Sequence, residues 1–375
     1  MTINGTMVRK ISSWTVYAAV FLIVLELCAR IDDRLKYGAP FFGEYTDERL
    51  RSFDDEGVRY NIPNISFEKW HHNDLGFRGP DIDLKKPDTT TRIVCMGTSE
   101  TYGLYESPGN EWPAQLSGQL NRTGHFDVIN AATVGLKRIH YLKYLKKYVY
   151  RLDPDIVVLV IFPSFEKAAP PAETITTETS VIQATPEESN NLTLESLKPS
   201  FRILPKAWQV VKRFVPNWML ERYQYWNRLK QIRDLERRYL KGQAPLDRIP
   251  TEDYAGFKTD IEQVVRDLKS RGTHVVLTTY PFLMNPHNLD KYPLIFMEAR
   301  RFAIELSYEG MMDACSQGNR LIRQIAREEN TGLVDLYLGI PQDTVHLADN
   351  VHLTDEGARL AAELVAKYIT ANFVR

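Results

Sequence analysis

Apolar residues fall along this chain in three patterns, and each predicts a different kind of element. Residues 11–31 form an almost wholly apolar run, with Glu26 and Arg30 as its only charges. A helix rises about 1.5 Å per residue, so this run reaches roughly 30 Å, the hydrocarbon thickness of a bilayer. From residue 91 onward, short continuous apolar runs alternate with runs of three-to-four-residue period. Residues 92–96, 126–130, 156–162, 274–279 and 332–335 read as strands. The stretch 156–162 (Ile-Val-Val-Leu-Val-Ile-Phe) is unbroken, as expected of a parallel strand buried on both faces. Trp112, Leu116 and Leu120 mark one helix face, and Tyr141, Leu142, Leu145, Tyr148 and Val149 another. Residues 354–372 predict a C-terminal helix, with Asp355 and Glu356 in its first turn and Ala361, Leu364, Val365 and Tyr368 along its apolar stripe. Strands alternating with helices predict an α/β fold: a three-layer α/β/α sandwich around a central parallel sheet. Reactive residues are then expected beyond the carboxyl ends of the strands.

Two stretches depart from this alternation. Residues 36–90 are rich in Gly, Pro, Asp and aromatics and contain Asn73-Asp74-Leu75-Gly76-Phe77-Arg78-Gly79. This stretch reads either as a loop packed beside the site or, the favoured reading, as a structural lead-in whose glycines serve turns. Residues 163–255 begin as an irregular Pro-, Thr- and Glu-rich loop and continue as a helical insertion. Residues 198–241 hold twelve Lys/Arg against three Asp/Glu, with Trp208, Phe214, Trp218, Tyr223 and Trp226 interleaved. Such an insertion can be a solvated face, a lid or substrate wall, or a contact for a membrane or a partner. The expected organisation is a membrane anchor at 1–35, a juxtamembrane lead-in at 36–90 and an α/β domain at 91–375 with its insertion at 163–255.

Arg9 and Lys10 precede the apolar run. The positive-inside tendency puts the N-terminus in the cytoplasm and the rest outside, as a single-pass protein of the plasma (inner) membrane with a periplasmic domain. A cleaved signal and a buried helix are the rival readings; length and flanking charges favour the anchor. The net charge of −1 argues against a bulk electrostatic nucleic-acid binder. Cys28, Cys95 and Cys315 give no disulfide framework. No zinc-type spacing is present, and His71-His72 without further ligands is not read as a metal site, so neither metal nor cofactor is expected.

The chemistry lies in two motifs far apart. Gly97-Thr98-Ser99-Glu100 follows the first strand, and Asp349-Asn350-Val351-His352 precedes the last helix. A serine on a tight turn after a strand presents its hydroxyl. It is a poor nucleophile until a base takes its proton, and a His oriented by an Asp can do so. Together with Asn130-Ala131-Ala132-Thr133-Val134-Gly135 after the second strand, these blocks resemble those of the SGNH (GDSL-type) hydrolase superfamily, over roughly residues 91–375. The resemblance implies a flavodoxin-like sheet, Ser99 as nucleophile, His352 as base and Asp349 as its orienter. It implies the backbone N–H groups of Ser99 and Gly135 as oxyanion donors. It also implies a third donor, an Asn after strand three, where this chain has Phe165. Phenylalanine cannot donate, and the loss of such a donor can add about 2.7–4 kcal/mol to the barrier; Ser164 is the candidate substitute. Thr98 stands where the family carries Asp.

The resemblance, to membrane-anchored polysaccharide O-acyl esterases and acetyltransferases, implies a serine esterase acting on an acylated carbohydrate, with the bilayer and other polysaccharide-machinery subunits as partners. Two alternatives stay open: an O-acetyltransferase with the same triad, and a non-catalytic assembly or binding subunit of a polysaccharide export machine. The retained Ser99, His352 and Asp349 favour an enzyme.

Overall fold

The computed structural model describes residues 5–43, 45–122, 124–162 and 201–374. The chain opens with helix α1 (Gly5–Tyr37), followed by a short antiparallel pair, Arg51–Phe53 with Arg59–Asn61. Strand β1 (Thr91–Met96) leads into the one-turn helix α2 (Ser99–Tyr102) and then α3 (Trp112–Leu120). Strand β2 (Phe126–Asn130) is followed by helical turns over 138–152 and by β3 (Ile156–Val160). Next come α4 (Ile203–Lys212), α5 (Asn217–Leu235), α6 (Thr251–Ser270), β4 (His274–Thr278), α7 (Pro293–Phe302), α8 (Tyr308–Glu328), β5 (Gly332–Val334) and α9 (Asp355–Phe373).

The five strands form one parallel sheet in the order β2-β1-β3-β4-β5. Successive side chains of a strand point to opposite faces, and the core sorts accordingly. Ile93, Cys95, Ile156, Val158 and Val276 face one helical layer, where Trp112, Leu116, Ala361 and Val365 of α3 and α9 pack. Val94, Met96, Val157, Leu159 and Leu277 face the other, against Phe257, Ile261 and Val265 of α6 and Tyr144 and Leu145. This is the three-layer arrangement expected from the alternation. Strands β3, β4 and β5 stop one or two residues short of the apolar runs: β3 ends at Val160, although Ile161 stays buried beyond the ladder. The layer helix α6 begins at Thr251, inside the stretch expected to be insertion.

The described residues divide into two compact units. One gathers α1 and the residues up to 49 with 66–68 and 201–223; the other holds 50–65, 69–162 and 224–374. The sheet unit therefore includes most of the lead-in 50–90. The order 2-1-3-4-5 places a crevice at the carboxyl ends of β1 and β3, where the chain reverses direction across the sheet.

The amino-terminal end of the strands, opposite the crevice, is fastened by a buried cation. Arg92 is 1% exposed. It donates to Asp127 (2.8 Å) and to the carbonyls of Leu152 (2.7 Å) and Asp83 (2.6 Å). Arg92→Met keeps bulk but strands these acceptors, at about 1–3 kcal/mol for each one left buried. Urea unfolding of the variant is expected to show a lowered midpoint with an unchanged slope; an unmoved midpoint would refute this fastening role.

Candidate active site

The turn that carries Ser99 is held by its own side chains. A Cβ on Gly97 would lie 2.2 Å from Thr101 Oγ1 and 2.8 Å from Glu100 Oε1, so only glycine fits between β1 and α2. Glu100 folds back to accept from the Thr98 N–H (2.7 Å) and the Thr98 hydroxyl. Burial raises the pKa of this carboxyl against the lowering effect of those bonds. A carboxyl group thus sits beside Thr98. Ser99 starts α2, half-buried, with its carbonyl accepting from the Gly103 N–H (3.1 Å).

The facing loop is organised by Asp349. Its Oδ1 accepts from the backbone N–H groups of Val351 and His352, both at 2.8 Å, and its Oδ2 lies 2.7 Å from His352 Nδ1. One carboxylate therefore shapes the turn and fixes the ring. Neighbouring elements pin the loop: the Tyr280 hydroxyl donates to the Val351 carbonyl (2.6 Å), and the Met284 N–H donates to Asn350 Oδ1 (3.0 Å). Thr354 then caps α9 by accepting from the Gly357 N–H (3.2 Å).

These two turns meet. His352 Nε2 lies 2.8 Å from Ser99 Oγ. With Nδ1–H donating to Asp349, Nε2 is free to accept the serine proton. The pKa of Asp349 is lowered: burial opposes ionisation, but the His352 hydrogen bond, its charge and the two backbone N–H donors outweigh it. The pKa of His352 is raised: burial would lower it, but the Asp349 hydrogen bond and charge, then the charges of Glu100 and Glu106, prevail. Tyr105 packs on the imidazole with ring centroids 5.2 Å apart. A second Asp-x-x-His, Asp343 and His346, also has its side chains paired at 2.7 Å, but Ser99 pairs with His352.

Gly135 has φ +74°, a left-handed conformation that suits glycine, and its loop runs beside the nucleophile turn through Thr133 N–H to Gly97 O (3.3 Å). A Cβ there would come within 3.0 Å of Arg59 Nη1. Ser164, Phe165 and Glu166 lie outside the described residues. Tyr280 braces the histidine loop, and Asp335 pairs with Arg323 (2.7 Å).

The lead-in segment does more than the turn-forming role favoured for it. Arg78 donates to the carbonyls of Tyr102 (2.7 Å) and Gly103 at the end of α2 and to Glu111 (3.3 Å). His72 is fully buried; its Nδ1 donates to Ile62 O (3.0 Å) and its Nε2 accepts from the Tyr102 hydroxyl (2.8 Å). Burial drops the His72 pKa to about 4, so the ring is neutral at pH 7. Asn130 closes the cage, donating to Thr101 O (3.0 Å). In the sequence these residues lacked a partner pattern. Only the Asn-x-x-Gly-Phe-Arg-Gly string hinted at them.

No protein-family model matches the chain, and no curated protein matches it. Solved structures similar to it include a lipase/acylhydrolase from Enterococcus faecalis, 17% identical, covering 75% of this chain and 96% of that one with a TM-score of 0.41. An acetylxylan esterase from Geobacillus stearothermophilus is 14% identical, covering 76% and 96% with a TM-score of 0.39. The acetyl xylan esterase AlAXEase is 15% identical, covering 74% and 98% with a TM-score of 0.40. Likenesses at this level assign no role to any residue of this chain.

The geometry predicts an activated Ser99. A fluorophosphonate is expected to label the protein at Ser99, and His352→Ala to abolish labelling. Arg78→Lys keeps the charge but loses the fork that holds α2, and is expected to slow labelling roughly ten- to hundred-fold with little change in thermal midpoint. Wild-type labelling rates in Arg78→Lys would show that α2 holds itself.

Proposed function

We propose that this chain is a membrane-anchored serine esterase that removes O-acyl groups, acetyl foremost, from a cell-envelope or exported polysaccharide. The observation that carries the reading is the relay itself: Ser99 Oγ 2.8 Å from His352 Nε2, and His352 Nδ1 2.7 Å from Asp349. In the proposed reaction Ser99 Oγ attacks the ester carbonyl while its proton passes to His352 Nε2. Asp349 stabilises the imidazolium. The tetrahedral oxyanion is met by the N–H groups of Ser99 and Gly135, with Ser164 as the candidate third donor. Collapse expels the sugar alkoxide, which takes the proton from Nε2. Water then attacks the acyl-serine, giving its proton to Nε2, and the free acid leaves as Ser99 regains it.

Helix α1 supports the proposed compartment. Residues 14–37 form a helix that is long and apolar enough to cross a membrane, with mean hydropathy 1.8 over its most apolar 18 residues. With Arg9 and Lys10 ahead of it, the proposed topology is single-pass in the plasma (inner) membrane, N-terminus cytoplasmic and sheet unit periplasmic. The polysaccharide substrate class follows from the motif resemblance together with this compartment.

The test is hydrolysis of p-nitrophenyl acetate by the full chain in detergent, beside Ser99→Ala and His352→Ala. Equal rates in all three would remove the reading. With an acetylated polysaccharide, release of free acetate is expected, and acetyl appearing instead on an added sugar acceptor would make the chain a transferase.

The pH profile is a second check. His352 must be neutral to accept a proton, so activity is lost as pH falls through its pKa, which is displaced upward. The acid limb is therefore expected above the ordinary imidazole value of about 6.5. Asp349→Asn removes the principal raising group, so the limb should move down while kcat falls by up to about 10⁴-fold. A limb that stays in place would show that another group sets it.

A further inference from the structure

Helix α4 and the start of α5 carry an apolar face left bare among the described residues. On a helical projection Ile203, Leu204, Ala207, Trp208, Val210 and Val211 share one side of α4, and Pro205, Lys206, Gln209 and Lys212 the other. Amphipathic helices of globular domains turn the apolar side inward. No residue of α4 is buried; Trp208 and Val210 are exposed, as are Phe214 at 82% and Trp218 at 65%. Bare aromatic surface of this kind marks a contact.

The same unit shows where that contact lies. Glu26 of α1 accepts from the backbone N–H groups of Arg202 (3.1 Å) and Ile203 (2.9 Å), donors at the start of α4 that a helix cannot satisfy internally. Arg30 lies 2.7 Å from the same carboxylate. Lys206 pairs with Asp33 (2.7 Å) and with Asp32. Arg202 donates to the Pro40 carbonyl and stacks 5.2 Å over the Tyr45 ring. Glu26 and Asp33 are separated by roughly 10 Å of helical rise, at the end of α1 where its apolar run gives way to charge. Helix α4 is thus fixed at the height where a membrane span would leave the hydrocarbon. Its exposed Trp and Phe residues are of the type that sits at headgroup level, and Lys212 and Arg213 complement lipid phosphates.

We propose that α4 and the first turns of α5 lie in the interface of an anionic phospholipid bilayer, a second membrane contact beside α1. This rests on reading α1 as a span. The span places the chain in the membrane; α4 adds an in-plane contact that resists rotation and tilt about the single helix.

The test uses the full chain in vesicles of phosphatidylcholine and phosphatidylglycerol with dibrominated acyl chains, which quench nearby tryptophan. In a Trp14→Phe background, quenching is expected to fall by about half when Trp208→Phe and Trp218→Phe are added, since interfacial tryptophans lie close to the acyl chains. Lys212→Glu with Arg213→Glu should reduce quenching in phosphatidylglycerol vesicles toward its value in pure phosphatidylcholine. Quenching unaffected by removing Trp208 and Trp218 overturns the proposal. The reciprocal protein, keeping Trp14 but lacking Trp208 and Trp218, separates the two readings. If Trp14 is quenched while Trp208 and Trp218 contribute nothing, the anchor stands and the interfacial contact falls. If Trp14 is not quenched either, both fall.

Discussion

The site depends on one hydrogen bond between residues 253 positions apart in the chain, Ser99 and His352. Neither partner could hold it alone. A serine hydroxyl rotates freely, and an imidazole with two equivalent tautomers offers the wrong nitrogen half the time. Asp349 removes the freedom on the histidine side, because one oxygen shapes the backbone of its own turn and the other selects the Nδ1–H tautomer. The parallel sheet supplies the rest: β1 ends at the nucleophile turn, and residues just beyond β4 pin the histidine loop.

The serine side raises a harder problem. Helix α2 is a single turn, and a single turn is the costly nucleus of a helix rather than a stable one. Its position must come from outside. Arg78, His72 and Asn130 supply it by bonding its last carbonyls and the Tyr102 hydroxyl. Electrostatics follow from the same packing. Glu100 and Glu106 are driven into low-dielectric surroundings, Glu106 with its pKa raised to about 7 mainly by burial, and both lend negative potential to His352. The histidine is thereby more basic than its burial alone would make it.

What the sequence made legible was whatever local chemistry determines. The unbroken run at 156–162 can hardly be anything but a central parallel strand, and the alternation around it leads to the layered fold. The spacing Asp349-x-x-His352 is readable because one turn sets it. The brace around α2 was not readable, because Arg78 and Glu111 are paired by tertiary approach and leave no periodic trace. Nor could spacing alone have separated Asp349–His352 from Asp343–His346, which have the same sequence form and the same side-chain bond. Only the position of the serine distinguishes them.

The charges in α1 show the opposite failure. Read along the chain, Glu26 and Arg30 merely weaken an apolar run. In a helix apolar enough to cross a membrane, an uncompensated carboxylate would be costly, so its presence asks for partners. Arg30 provides a charge one turn on, and the first N–H groups of α4 provide the two hydrogen bonds that a helix N-terminus leaves unspent. Each group supplies what the other lacks: the carboxylate gains two N–H donors and a guanidinium partner, and α4 gains a cap that its own sequence lacks, since Arg202 makes no side-chain capping bond. A residue that looks like a flaw in a hydrophobic segment is therefore the point at which a distant segment of the chain is received.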